Sequence, residues 1–252
     1  MRVVTTCHKA GFEQYGHRVL EGFKHWPKDT ELWWYTEGFK LPKTDGIVEI
    51  DISTLLGLEV FKEQYGKYIA PNYLYDVVRF SNKVFAVNHA LSNYKGIGVW
   101  MDADCVTYKD IPEGFIEGHL QGSYIALFKR KGMYSETGFW VMDCSHSAHL
   151  DFMDTWCRWY EEGLFKDMPN WTDCETLDTT IRIFEKKGLI KSVSLSGDFD
   201  KTTHPMAKVE LAKYISHLKG PRKSLGYSPE SLYDTMRFKG ITENEARKIV
   251  LG

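Results

Sequence analysis

Apolar positions along the first hundred residues switch between a two-residue and a three-to-four-residue period. Residues 2–7, 30–35 and 46–51 read as strands and 15–25 as a helix, with Pro27 and Pro42 in the connections. Such alternation predicts an α/β fold with a largely parallel sheet. Between 73 and 91, Leu74, Val77, Val78, Val84, Phe85 and Leu91 fall at the spacing of an amphipathic helix, while Asp76, Arg79 and Lys83 line a separate polar stripe. The run Gly96-Ile97-Gly98-Val99-Trp100-Met101 is almost uninterruptedly apolar and reads as a strand buried on both faces. Further on, 122–128 and 138–142 read as β-rich and 150–163 and 174–187 as helices. The polar alternation of 191–196 suits an edge strand. From Ser228 the pattern is charged and helical, with Thr242-Glu243-Asn244-Glu245 resembling a capping box, and it reads as a peripheral appendage.

Composition narrows the class. A chain of 252 residues, 43% hydrophobic and 26% charged, can bury a full core as one large domain. A net charge of −2 provides no global positive field for a nucleic-acid backbone. Five cysteines, an odd number without a Cys-x-x-Cys pair, argue against a disulfide framework or a structural zinc site and suggest a reducing compartment. No segment has eighteen consecutive apolar residues, and strand-like sequence follows Met1 at once, so a soluble, cytoplasmic protein is expected. The eight Trp are expected mainly in the core.

The candidate chemistry begins where the apolar run ends, at Asp102-Ala103-Asp104. Parallel sheets commonly place ligands at the carboxyl ends of their strands, and two carboxylates there can converge on one hard cation. A second Asp-x-Asp, Asp198-Phe199-Asp200, follows a polar edge strand and Gly197 and reads as a turn. The other signal is His217-Leu218-Lys219-Gly220-Pro221-Arg222-Lys223. His217 offers an imidazole, Gly220 permits close backbone approach to an anion, and Lys219, Arg222 and Lys223 supply positive charge. A metal with a diphosphate would use all of these. His8, His89, His146 and His149 have no paired spacing with the acids and read as surface or satisfied histidines.

Together, residues 98–106, the preceding helix with Arg79 and Lys83, the segment Glu136-Thr137-Gly138-Phe139-Trp140-Val141-Met142-Asp143 and the spacing His217-x-x-Gly220-x-x-Lys223 resemble the GT-A class of nucleotide-sugar glycosyltransferases. The resemblance is closest to the glycogenin and galactosyltransferase-like, family 8-type group with a DxD motif. It implies a Rossmann-like, mixed but mainly parallel central sheet flanked by helices in a single domain. Residues 1–227 would form that domain, with a nucleotide-sugar-binding half (1–107) and an acceptor half with the basic motif (108–227), and 228–252 the helical appendage. It implies a hexosyl- or pentosyltransferase acting on a nucleoside-diphosphate sugar, with retention and a UDP-sugar suggested. Asp102, Asp104 and His217 would hold Mn²⁺ or Mg²⁺, the imidazole favouring Mn²⁺. Lys223 and the Gly220 backbone would bind the diphosphate, Arg79 and Lys83 would organise the donor sugar and the first acid, and Thr5 and Thr6 would hold the base. Ala103 lies between the two acids at the donor.

On the acceptor side, Asp173 is either a helix N-cap or a carboxylate facing the acceptor hydroxyl; Glu136 either orients that hydroxyl or is a solvated turn acid; Asp178 is a reserve. The acceptor is a glycan, a protein or, as in phage, a hydroxymethylated DNA base, the last needing a local basic groove begun by Lys129-Arg130-Lys131 with Arg222 and Lys223. Two other readings stand beside these. A nucleotide-sugar pyrophosphorylase or nucleotidyltransferase would share the sheet and carboxylates, but the N-terminus lacks a glycine-rich phosphate loop. A non-catalytic carbohydrate-binding protein would explain the aromatics but not the acids, histidine and basic run.

Overall fold

Strand β1 (Arg2–His8) sits at the heart of a seven-stranded sheet because its Val3, Val4 and Thr5 are buried between two helical layers. A computed structural model describes residues 1–196 and 204–251. The Asp198-Phe199-Asp200 pair lies outside the described residues. Strands β2 (Glu31–Glu37), β3 (Ile47–Asp51) and β4 (Ile97–Met101) run parallel to β1, and the order across the sheet is β3-β2-β1-β4-β7-β6-β8. Strand β7 (Met133–Asp143) runs antiparallel between β4 and β6 (Ile125–Arg130), and the short β8 (Ser192–Ser194) closes the edge parallel to β6. One antiparallel strand in an otherwise parallel sheet matches the expected mixed, mainly parallel architecture.

The helix Val77–Leu91 covers one face, capped by Asp76, whose carboxylate accepts from the Arg79 amide. It lies close to β4 because Gly98 has no side chain: a Cβ there would sit 2.8 Å from Leu91 Cδ1 and from Cys144 Sγ. The same face packs the helices His149–Glu161 and Asp173–Lys186 over Trp100, Trp140, Trp156 and Phe152. The opposite face holds Val3, Trp34, Val99, Phe139 and Met206. The aromatic residues at the centre of the chain are therefore largely core.

Two expectations change. The helix read at 15–25 is His17–Phe23, entered through a π-helical turn, Phe12–Gly16. The helix Leu56–Tyr65 has no counterpart in the sequence reading, because it exposes Leu56 and Val60 as it buries Leu58 and Phe61, so its apolar stripe is blurred.

The connection that matters most for chemistry is a second, two-stranded sheet. Strand β5 (Cys105–Thr107) pairs antiparallel with β9 (Ile215–His217), with Cys105 opposite His217. This pairing returns the chain to the carboxyl end of β4. Beyond it, Leu232–Lys239 and Glu243–Val250 form helices, the latter opened by the Thr242–Glu245 capping box that the sequence suggested. Ser228, Ser231, Asp234 and Thr235 are buried against the rest of the chain. Among the described residues no helix is long and apolar enough to cross a membrane.

Candidate active site

At the end of β4 the Asp102 amide donates to Gly138 O of β7 at 2.7 Å, which turns the chain and leaves both acids beyond the sheet edge. Asp102 accepts from the Trp100 indole at 2.6 Å and lies 3.6 Å from Lys83 Nζ. Ala103 between them is buried in the core, so only its backbone faces the site. Asp104 is gripped from two sides, by Lys223 Nζ at 2.9 Å and by His217 Nε2 at 2.9 Å; the same imidazole nitrogen is 3.9 Å from Asp102. Residues more than a hundred positions apart thus meet in one cluster.

A glycine makes room for the imidazole. A Cβ on Gly138 would stand 2.2 Å from His217 Cε1 and 2.7 Å from its Nδ1, so only glycine lets β7 pass beneath the ring. Burial alone would raise the carboxyl of Asp104, yet the His217 imidazole and the Lys223 ammonium outweigh it and hold Asp104 far below the usual range. Burial would likewise lower His217, but Asp104 and Glu136 reverse the sign and raise it. Lys223 is placed over the Tyr15 ring, 4.3 Å from its centre.

A second chain of charge runs beside the first. Lys83, buried, donates to Thr137 O at 2.6 Å and pairs with Asp173 at 2.7 Å as well as with Asp102. Its burial would lower it, and Asp173 and Asp102 raise it instead. Asp173 also accepts from Thr137 Oγ1 at 2.7 Å. It is not the helix N-cap: that position belongs to Thr172, whose hydroxyl accepts from the Glu175 amide. Arg79 packs over the Tyr73 ring, 5.1 Å from its centre, and among the described residues makes no ion pair.

The acceptor-side candidates separate. Glu136 is not a solvated turn acid: it is 3% exposed, accepts from the Gly138 amide, and faces His217, Lys219 and His204. Burial would raise it, and His217 with His204 and Lys219 hold it well below the ordinary carboxylate value. Asp178 accepts from the Ser135 amide at 2.7 Å and pins the start of β7. At the end of β1, Thr6 donates to Tyr35 O and to Glu37 of β2, while the Thr5 hydroxyl is buried without a hydrogen bond. Gly220 adopts φ +62 with open space where a Cβ would point, and its carbonyl accepts from the Lys223 amide. The histidines set aside by spacing are satisfied, His149 for example by Tyr124 and Leu91 O. Sequence reasoning missed His204, Tyr15 and Glu37. None stands in a motif, and only the fold brings them near.

The donor set suits a hard-to-borderline divalent cation. The imidazole links the two carboxylates, at 2.9 Å from Asp104 and 3.9 Å from Asp102, although the three do not share the mutual 4.8 Å spacing that Asp104, Cys105 and His217 have, and Asp104 Oδ1 is buried without a hydrogen bond.

No protein-family model and no curated protein sequence matches the chain. Solved structures do. The galactosyltransferase LgtC, solved in complex with donor and acceptor sugar analogs, superposes with a TM-score of 0.51 at 10% identity, over 99% of this chain and 95% of that one. The chain has the GT-A fold. Within that fold, mouse xyloside xylosyltransferase 1 superposes with a TM-score of 0.50 at 11% identity, over 77% of this chain and 84% of its own. A glycosyltransferase involved in glycosylation of the major capsid of PBCV-1 gives 0.50 at 12% identity, covering 89% and 98%.

Proposed function

We propose that this chain is a metal-dependent glycosyltransferase of the glycogenin and galactosyltransferase-like type, moving a sugar from a nucleoside-diphosphate sugar, with UDP the expected nucleotide, to an acceptor hydroxyl. The observation that carries the proposal is the meeting of Asp102, Asp104, His217 and Lys223 at the carboxyl end of β4 within a GT-A fold. Cleaving the bond between sugar and diphosphate builds negative charge on the leaving phosphate. A divalent cation such as Mn²⁺, held by Asp102, Asp104 and His217, would supply neutralisation of that charge.

The chain's own groups divide the remaining work. Lys223 directs its ammonium to the leaving diphosphate, with the Gly220 backbone beside it. Arg79, free of any acid among the described residues, is available to the donor. Lys83 ties Asp102 to Asp173 in one buried ion network, so the carboxylate beside the donor and the one on the acceptor side are held in fixed relation. With its charge engaged by Lys83 and Thr137, Asp173 acts by orientation, fixing Lys83 and the sugar-facing wall. Of the basic residues on which a DNA acceptor would rest, four are engaged within the chain, Lys129 with Glu185, Arg130 with Tyr134 O, Arg222 with Glu230 and Lys223 with Asp104, and Lys131 is exposed. That favours a small or glycan acceptor.

The decisive experiment screens hydrolysis of UDP- and GDP-sugars by mass spectrometry with and without Mn²⁺, alongside UDP binding by calorimetry. Wild type should release free sugar in a Mn²⁺-dependent way, and Asp104→Ala should lose Mn²⁺-dependent UDP binding while keeping its far-UV circular dichroism. Unchanged UDP affinity in the folded variant, or response to nucleoside triphosphates alone, would overturn the proposal.

A further inference from the structure

On the side of His217 turned away from Asp104 lies a second group of metal-type donors. Glu136 Oε1 is 3.7 Å from His217 Nδ1, and Glu136 Oε2 is 3.8 Å from His204 Nε2. The two imidazole rings meet edge to face with centres 4.7 Å apart. All three side chains are more than nine-tenths buried, yet His217 Nδ1 and His204 Nε2 form no hydrogen bond. Leaving a buried polar atom unpaired costs about 1–3 kcal/mol, so two of them aimed at one carboxylate call for an occupant, which binds His204 Nε2 once the ring proton moves to Nδ1 and releases the Met206 amide that Nδ1 accepts at 3.3 Å.

We propose that Glu136, His204 and His217 form a second, inner metal site for a divalent cation of the zinc type. Two imidazoles and a carboxylate are a donor set that zinc favours, in a centre with three protein ligands and one open position. The ligand atoms of the three residues all lie within 4.8 Å of one another. A tetrahedral ion with bonds of about 2.0–2.1 Å holds its donors roughly 3.3 Å apart, so the site needs only modest side-chain contraction. Lys219, 3.4 Å from Glu136 and half exposed, has room to swing away as a cation takes its place.

Occupancy of this site has a consequence for the outer one, and this part rests on the proposed function. A metal bound at Nδ1 of His217 leaves the proton on Nε2, which then donates toward Asp104 Oδ1, 2.9 Å away. No lone pair remains on Nε2 for a cation held by Asp102 and Asp104. Zinc at the inner site therefore withdraws His217 from the outer one and inhibits transfer.

Another donor group, Asp104 with Cys105 and His217, is also compact, but Asp104 is already bound by Lys223 and Cys105 Sγ lies against Gly138 O. The test distinguishes the two. Zn²⁺ affinity is measured on the full chain by competition with a chromophoric chelator, and Co²⁺ substitution reports ligand geometry by its visible spectrum. The doubly substituted Asp102→Asn, Asp104→Asn protein should keep one Zn²⁺ and its Co²⁺ spectrum. His204→Ala should weaken Zn²⁺ by more than about 100-fold, beyond the ~10–100-fold that loss of an outer-shell partner costs. His204→Phe keeps the ring's bulk without its nitrogens, and metal-free melting certifies that either variant is folded. Unchanged Zn²⁺ affinity in both His204 variants overturns the site, as does its loss in the Asp102/Asp104 protein or in Cys105→Ser alone. Zinc binding is read without any sugar transfer, so its failure and that of the proposed function are separate results.

Discussion

Lys223 is the residue whose surroundings bear most directly on its proposed role. Its ammonium is 2.9 Å from Asp104 and lies over Tyr15, so it is positioned by an acid and a ring before any ligand arrives. A group held that way costs little reorganisation when charge develops on a leaving phosphate. Lys223→Ala should therefore lower kcat by about 10²-fold or more while changing KM less. Steady-state kinetics on the donor decide it, and a pure KM effect would reduce Lys223 to uniform binding. Of the residues around it, Asp102, Asp104, His217 and Gly220 were legible because strand-end acids and a His-x-x-Gly-x-x-Lys spacing carry chemical meaning in one dimension. Tyr15 was not: it sits in a π-helical turn, whose register departs from the period used to read the chain. His204 was not either, because a lone histidine before Pro205 carries no spacing signal.

Among the elements, β7 does more than its sequence suggested. The reading at 138–142 found its most apolar part, yet the strand extends from Met133 and carries Glu136, Thr137 and Gly138 past the acid pair. Its hydrophobic half was legible by pattern, whereas Glu136 and Thr137 were reached only through the family resemblance, because with Ser135 they are buried by the site and not by the core. Gly138→Ala tests this element. The added methyl would meet His217 at 2.2 Å, and overpacking of this kind costs roughly 1–3 kcal/mol. The melting temperature should fall, and Mn²⁺-dependent UDP affinity should fall with it as the ring is displaced. Gly98→Ala is the control, since its methyl meets Leu91 and Cys144 at 2.8 Å in the core away from the acids. It should lower stability and leave UDP affinity of the folded protein unchanged. Equal affinities in the two variants would separate Gly138 from the site.

At the scale of the whole molecule, the buried His149 adds to a dependence of stability on pH to which His89, His119 and His204, also lowered by burial, contribute in the same direction. His149 receives the Tyr124 hydroxyl at Nδ1 and donates from Nε2 to Leu91 O, an arrangement that needs the neutral ring. Burial lowers its pKa below the ordinary value, while in the unfolded chain it titrates near ~6.5. As pH falls through that value the unfolded state takes up a proton that the folded state refuses, so stability present above it is progressively lost. His217 is raised and pulls the opposite way, but it is common to both proteins in a comparison. Urea denaturation of wild type and His149→Gln between pH 7.5 and 5.5 should show a shallower acid loss in the variant, by at most about 1.4 kcal/mol per pH unit. Parallel pH profiles would mean that His149 titrates alike in both states.

The pairing of β5 with β9 also bears on when the protein becomes competent. Asp104 and His217 stand 113 positions apart, and the strand that carries His217 is only three residues long. During synthesis the parallel strands and their helices can assemble while that partner is still inside the ribosome, but the ligand cluster cannot. An ion spanning the cluster would close a loop of about a hundred residues, a restraint on the unfolded chain comparable in kind to a long-range cross-link, worth up to ~5 kcal/mol. On the proposed function, metal occupancy would thus be a test of completeness: only a chain finished through His217 and folded back on itself could be fastened by it.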